Sequence, residues 1–181
     1  MADSLLRRFG SINSLLGADV ASLVATPDVT QEVAHLLKAA LDVAAAALAE
    51  KSRGRQVLGS FTAVHDYLKL RLQGEQVRVA RLLCLDTRHG LIRDEEIARG
   101  TATELTLYPR EIARAALLEH ASAIIVVEGS PSATFSPSAR DVANAKAIRA
   151  SLSTLDIAFH DYMVLAGGKA YSYRTARLLR D

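Results

Sequence analysis

The sequence has little of several features that define whole classes of protein. It holds one cysteine in 181 residues, so it can close no internal disulfide. That cysteine, Cys84, lies inside the apolar run 82–85, which predicts a buried structural thiol. No apolar run is long enough to cross a membrane, and Arg7 and Arg8 interrupt the only short apolar pieces near the start, so we expect no secretory leader. The expectation is a globular cytoplasmic protein without membrane contact.

An excess of charge of either sign is also missing. The formal net charge is +2, residues 1–55 hold six Lys or Arg against six Asp or Glu, and residues 56–181 hold 16 against 14. A dedicated nucleic-acid-binding domain usually presents a concentrated basic face. Charge therefore gives no support for DNA binding, and any DNA site would have to come from geometry.

The first fifty residues have the patterning of helices. Short helices are predicted before Gly10 and before Gly17, and apolar residues recur at helical spacing from Val33 to Leu48. Lys51 to Gly54 supply the cations and glycine that commonly end a helix. We place a linker near residues 52–56 and find no internal repeat.

The pattern after this linker changes to strands and helices in one continuous series. Glu128 to Ser136 is predicted to be a loop of small residues, and helices are predicted to begin at Pro109 and at Ser136-Pro137. Strands are predicted at 77–85 with its hairpin partner Leu91-Ile92, and at 105–108, 123–127, 157–165 and 171–173. This order predicts an α+β fold in which helices sandwich a sheet.

Ser138 and Asp141 are three positions apart in the first turn of a predicted helix. Both side chains should project from one face beside the end of a buried strand, where functional sites often collect. The same spacing is also an ordinary helix start, in which serine and aspartate form a capping box. From these residues alone, capping is the first interpretation and a functional site the second.

Several segments in chain order carry a resemblance to a known family. They are Leu6 to Phe9 with Leu15-Leu16, Gly74 to Asp86, Gly100-Thr101, Tyr108 to Ile112, and Pro137 to Asp141. Together they resemble the RadC family. The resemblance implies a mixed sheet of the MPN or cytidine-deaminase-like type sandwiched by helices. It divides the chain into a small helical segment, 1–55, and a RadC-like JAB/MPN domain, 56–181.

The resemblance also implies site residues. In the family's JAMM motif two histidines and an aspartate hold zinc, a glutamate activates the metal-bound water, and a serine supports the developing oxyanion. By position, Glu75 matches the glutamate, Ser138 the serine and Asp141 the aspartate. Glu128 and Ser130 stand where the two histidines would be. Glu75 and Ser138 are therefore expected to be vestigial catalytic residues.

Oxygen donors in place of two imidazoles make a poor zinc site. No cofactor is expected here, although the parent family uses zinc, and Asp141 with Glu128 would be the ligands of any metal that does bind. We expect all five residues to converge in one cleft: Glu75, Glu128, Ser130, Ser138 and Asp141.

Two further departures concern the other histidines and the amino-terminal segment. Asp161-Tyr162 replaces the family's Asp-His pair, and strand alternation sends His160 to the face opposite Asp161. The remaining histidines, at 35, 65, 89 and 120, are isolated and predicted to be surface or satisfied residues. Pro27-Asp28-Val29 stands near the Gly-x-Gly turn of the family's helix-hairpin-helix, where proline lacks an amide and aspartate repels phosphate. Weak or no DNA binding is expected.

Three functions from different classes remain open. The first is a catalytically silent MPN-type module that binds a protein or peptide partner in the old cleft, and the replaced histidines favour it. The second is an active metal-dependent, metallopeptidase-like hydrolase using Glu75, Asp141 and Glu128. The third is an accessory protein associated with DNA repair, as the family's label implies. A homo-oligomer is compatible with each.

Overall fold

The structure is a computed structural model that describes residues 2–52, 61–72 and 75–179. Most of the predicted linker at 52–56 lies outside these ranges. In chain order the elements are α1 (Ala2–Phe9), α2 (Ile12–Gly17), α3 (Val20–Val24), α4 (Gln31–Ser52), α5 (Phe61–Leu72), β1 (Val79–Leu85), β2 (Leu91–Arg99), α6 (Pro109–Leu118), β3 (Ala123–Ser130), α7 (Ala139–Ser153), β4 (Ala158–Ala166) and β5 (Lys169–Ser172).

The five strands form one mixed sheet in the order β2-β1-β3-β4-β5. β3 and β4 run parallel, and every other neighbouring pair is antiparallel. β3 is the central strand, and its residues from Ala123 to Gly129 are all buried. A short, uniformly apolar run is typical of a strand covered on both faces, as the sequence predicted. The mixed sheet and its helices confirm the α+β class.

Helices cover the two faces of the sheet with separate hydrophobic cores. On what we call the α6/α7 face, side chains from α6 and α7 pack against alternate strand residues that include Leu82, Val126 and Val164. On the α5 face, α5 packs against the residues between them, such as Leu83 and Val127. Because successive strand residues point to opposite faces, β3 assigns Glu128 to the α6/α7 face with Val126.

The amino-terminal helices have a core of their own, formed by Leu5, Leu15, Leu23, Val29 and Ala34. Helix α4 also contacts α5, where Arg71 Nη1 lies 3.2 Å from the Asp42 carboxylate. Among the described residues, none of the helices combines the length and the hydropathy that a membrane crossing requires.

The strand predicted at 105–108 is wrong. These residues belong to no helix or strand and lead directly into α6. A tight turn precedes them at Gly100, where an added Cβ would lie 2.0 Å from the Glu104 carbonyl oxygen. The Thr101 amide donates to that same carbonyl at 2.8 Å, so the chain turns back on itself after β2.

Two predicted boundaries also shift. β3 continues through Ser130, so residues 128–130 belong to a strand and not to the predicted loop. Helix α7 begins at Ala139 with Ser138 as its N-cap, two residues later than the predicted start at Ser136-Pro137. Both shifts bring residues singled out by the sequence onto regular elements, which fixes their directions.

Candidate functional site

A buried carboxylate marks the carboxyl end of β3. Glu128 is 2% exposed and is the only fully buried charged residue among those that the structure describes. The register sets it opposite Ala80 of β1 and Val164 of β4. A charge removed from water in this way is stable only if it is paired and hydrogen-bonded.

The residue before β1 and a residue of β4 are the partners of Glu128. Arg78 donates from Nε to Glu128 Oε1, forming a salt bridge. Tyr162 on β4 donates its hydroxyl to Oε2 at 2.7 Å. Each carboxylate oxygen therefore has a donor, and one of the two donors is a cation.

Arg78 is itself held from several directions. Its Nη1 donates to the Thr103 carbonyl at 3.1 Å. Its backbone amide donates to the Thr101 carbonyl at 2.8 Å, and its carbonyl accepts from the Gly100 amide at 2.9 Å. The turn after β2 thus fixes the guanidinium beside Glu128.

A second tyrosine completes what we call the Glu128 cluster: Arg78, Glu128, Tyr162 and Tyr173. The rings of Tyr162 and Tyr173 have centroids 4.9 Å apart. The Tyr173 hydroxyl is buried and has no hydrogen-bond partner among the described residues. It is a donor and acceptor available to a water or ligand at this position.

The cluster is strongly coupled electrostatically. Burial lowers the pKa of Arg78, but the hydrogen bond and charge of Glu128, with a smaller contribution from Asp141, outweigh it and raise that pKa. Burial and then the charge of Glu128 raise the pKa of Tyr162 well above its usual value. Burial, followed by the charges of Asp141 and Glu128, raises the pKa of Tyr173. At neutral pH Arg78 is charged and both tyrosines are protonated.

Ser138 and Asp141 form a capping box at the start of α7. The Asp141 amide donates to Ser138 Oγ at 3.1 Å, and the Ser138 amide donates to Asp141 Oδ2 at 2.9 Å. The Ser138 hydroxyl also donates to Oδ2 at 2.7 Å. This is the capping interpretation of the pair. The charge of Asp141 nevertheless acts on Arg78 and Tyr173, so α7 begins close to the Glu128 cluster.

The structure does not bring Glu75 to the Glu128 cluster. Glu75 instead accepts from Arg99 Nη1 at 2.7 Å in a partly exposed ion pair. It lines a cavity of about 450 Å³ with Ser130, and that cavity includes Leu72 and Leu165 of the α5 face. Glu75 and Ser130, two of the five predicted residues, therefore line one cavity, and the convergence of all five in one cleft stays a prediction. The catalytic roles given to Glu75 and Ser138 stay predictions.

The donor set at the matched positions does not fit a catalytic zinc. Glu128 is occupied by a guanidinium and a hydroxyl, Ser130 Oγ accepts the Ser132 amide, and Asp141 is occupied by Ser138. Catalytic zinc in proteins ordinarily has three protein ligands with nitrogen prominent, and a neighbouring cation opposes its binding. Among the described residues, no group of three or more His, Cys, Asp or Glu is placed to hold a metal ion.

β4 contains a bulge at His160, and the prediction that His160 and Asp161 lie on opposite faces stays a prediction. Ile124 pairs with Phe159 and Ile125 pairs with Asp161, so His160 is the extra residue. A bulge interrupts the alternation of side chains that the sequence argument assumed. The His160 ring packs edge-on against His89, with centroids 4.8 Å apart.

Sequence reasoning missed Arg78 as the partner of Glu128. Two signals could have found it. A carboxylate that directly follows a uniformly apolar strand needs a buried donor, and Arg78 lies just before β1, which pairs with β3. The register that sets Val79 opposite Gly129 was not readable from the sequence, so the pairing was not predicted.

Comparison with known proteins is consistent with this architecture. The model of the RadC-like JAB domain family matches residues 58–178. A UPF0758 protein of Paraburkholderia xenovorans is 36% identical over 176 residues, which cover 97% of this chain and 70% of that protein. A UPF0758 protein of Methylibium petroleiphilum is 36% identical over 179 residues, covering 99% of this chain and 81% of that protein. Similarity to both therefore extends through the amino-terminal helices.

Proposed function

This chain belongs to the family of RadC-like JAB domain proteins, and from that premise we propose that it is a catalytically silent member that acts as a binding module. The expected partner is a protein or a peptide. One observation carries the proposal: at a position where the family resemblance puts a zinc ligand, a buried glutamate is bound by a guanidinium.

The Arg78–Glu128 ion pair supports the absence of catalytic activity on electrostatic grounds. Arg78 supplies the positive charge that neutralises Glu128, which is the role a metal ion would have in a hydrolytic site. A divalent cation in the same place would have to displace Arg78 or lie beside it, and both are costly in a buried environment. The Glu128 carboxylate is satisfied without a metal.

The proposal that the chain binds a partner rests on the cavity that Ser130 helps to line at the end of β3. The chain from Pro131 to Thr134 is exposed, and it adjoins the cavity of about 450 Å³ that Ser130 and Gly167 help to line. An added Cβ at Gly167 would lie 2.0 Å from the Ala133 carbonyl oxygen, so this loop and the β4–β5 turn are closely packed. A peptide of the partner would bind in this cavity.

Zinc content tests the proposal. The wild-type chain, equilibrated at near-physiological zinc, should hold substoichiometric zinc and cleave neither peptide nor isopeptide bonds. E128H/S130H should still bind zinc weakly because Arg78 remains. R78Q/E128H/S130H should bind about one equivalent, because two imidazoles then join Asp141 without a cation beside them. R99Q/E128H/S130H is the matched control, since it removes a cation outside the cluster.

Other outcomes point to the competing functions. One equivalent of tightly held zinc in the wild-type chain, with hydrolysis, would establish the active hydrolase instead. Duplex DNA should bind no tighter than the non-specific range of about 10⁻⁴ to 10⁻⁶ M, and nanomolar affinity at physiological salt would favour the DNA-associated function. Peptide binding is tested with a peptide that has been selected from a library for binding to this protein. S130R should abolish its binding, whereas S136R should preserve it.

A further inference from the structure

A second pocket lies on the sheet near the beginning of β4. Its volume is about 250 Å³, and its walls are Arg149, Phe159, His160, Arg174 and Leu179. Three parts of the chain contribute to it, namely α7, β4 and the turn that follows β5. Basic side chains thus enclose a small volume from three directions.

Local contacts hold the two arginines at this pocket. Arg149 Nη1 donates to the Leu179 carbonyl. The backbone amide of Arg174 donates to Asp161 Oδ1 at 2.9 Å, and Asp161 also accepts from the Ser172 hydroxyl. The carboxylate of Asp161 is therefore engaged by donors on the chain after β4, while the Arg174 side chain remains exposed.

His160 adds a nitrogen without a partner. The bulge in β4 places it at the pocket wall, and its Nε2 is buried and has no hydrogen-bond partner among the described residues. A buried unpaired imidazole nitrogen is costly unless a ligand or water supplies the missing contact. In the tautomer that carries its proton on Nε2, His160 would donate to an anion oxygen in the pocket.

The electrostatic potential around His160 also favours an anion. Burial lowers the pKa of His160, and electrostatic interactions with His89 and Arg174 lower it further. His160 is therefore neutral at pH 7 in a region of positive potential, which favours anions.

We propose that this pocket binds a small phosphate-bearing anion. A tetrahedral anion matches donors that surround a small volume, and guanidinium groups pair with phosphate through parallel hydrogen bonds. Phe159 and Leu179 form the apolar part of the wall and suit an ester substituent better than a free ion. This function does not depend on the Glu128 cluster and goes beyond the proposed peptide binding.

The probe is inorganic phosphate, followed in parallel by a sugar phosphate, with acetate and chloride at matched ionic strength as references. Phosphate should shift the imidazole resonances of His160 in a saturable way. R174Q should weaken the affinity about tenfold, because a charge-assisted hydrogen bond is lost. R177Q, which makes the same charge change in the same turn outside the pocket, should leave it within about twofold. R174K should give an intermediate affinity, because it keeps the charge without the guanidinium fork.

The outcomes are decisive in each direction. Tighter binding of the sugar phosphate than of phosphate identifies an ester as the natural ligand, and equal binding identifies the free ion. The proposal is overturned if phosphate shifts the His160 resonances no more than acetate does. It is also overturned if R174Q and R177Q weaken binding equally, because equal losses would show that phosphate responds only to the overall charge of the protein. Thermal unfolding of each variant checks its fold, and R174K covers the case in which R174Q does not fold.

Discussion

Glu128 shows how one residue can change the chemistry of a buried position. A histidine there would be neutral and able to bind a metal, whereas a buried carboxylate requires compensation. Arg78 and Tyr162 provide it, and each satisfies one oxygen. Breaking a buried pair from one side leaves an uncompensated charge and is strongly destabilising. The pair should therefore behave as a unit in mutagenesis.

The two tyrosines of the cluster provide a matched test of this account. Y162F removes the donor to Glu128 Oε2 and should lower the free energy of unfolding by about 1–3 kcal/mol, the cost of an unsatisfied buried acceptor. Y173F removes a hydroxyl without a partner among the described residues, so its effect should stay within about 0.5 kcal/mol. Urea unfolding of both variants measures the difference. Equal losses would mean that Tyr173 also makes a stabilising contact, through water or ligand.

Cys84 behaves as its surroundings in the sequence predicted. It is fully buried in β1, and burial raises the pKa of its thiol to about 12. A thiol with so little thiolate at neutral pH is a poor nucleophile and a poor metal ligand. The prediction of a structural thiol is confirmed.

At the scale of elements, the start of α7 decides what Ser138 and Asp141 do. Both side chains satisfy backbone amides of the first turn, which otherwise lack partners. The same boundary moves the N-cap from the predicted Ser136 to Ser138. Position along the helix, rather than residue type, therefore determines which serine contributes to stability.

The two serines can be compared directly. S138A should lower the free energy of unfolding by about 1 kcal/mol, because it removes an N-cap acceptor. S136A should change it by less than about 0.5 kcal/mol, because Ser136 is exposed and lies outside the helix. Chemical denaturation of both variants gives the comparison. A larger loss for S136A would place the helix start where the sequence first suggested.

Helix α5 is an element that the sequence did not predict. Its residues Leu68 and Leu72 are buried on one face of the sheet, and the Tyr67 hydroxyl donates to Asp94 of β2. Arg81 of β1 donates to the same carboxylate at 2.7 Å. These contacts connect α5 to the edge of the sheet and only exist once the strands are paired.

At the scale of the whole molecule, the sheet distributes polar groups between its two faces. The Glu128 cluster lies on the α6/α7 face, whereas Tyr67 and Asp94 interact on the side covered by α5. Several of these buried groups carry protons at neutral pH that they would lose in the unfolded chain at alkaline pH. Stability should therefore depend on pH well above neutrality.

The alkaline dependence has a definite sign. The folded state raises the pKa of Cys84 above 9.0 and those of Tyr162 and Tyr173 above 10.0, so it retains protons that the unfolded chain releases. The contribution is complete below pH 9 and is lost as pH rises through the folded pKa values. The free energy of unfolding should fall by about 1.4 kcal/mol per pH unit for each proton that the folded state keeps and the unfolded chain has released. Urea unfolding at a series of pH values measures it.

A double variant identifies the tyrosines responsible. Y162F/Y173F should make the decline above pH 10 shallower while leaving the part due to Cys84 unchanged. Ultraviolet absorbance should show these two tyrosines ionising together with unfolding. Their ionisation in the folded protein, at the pH of exposed tyrosines, would contradict the burial that the cluster requires.

The sequence by itself determined the class of fold, the central apolar strand, the helix at Pro109 and the buried thiol, because these depend on periodicity and local residue preference. It also brought out Glu128, Ser138 and Asp141 through family resemblance. Only the tertiary structure decided which groups meet. The register of β1 on β3 gives Glu128 its cation, a bulge in β4 falls at His160, and Glu75 pairs with Arg99. A change of register or a bulge alters which residues face each other without changing the strand propensity of the segment. Neither can therefore be predicted from residue preferences alone.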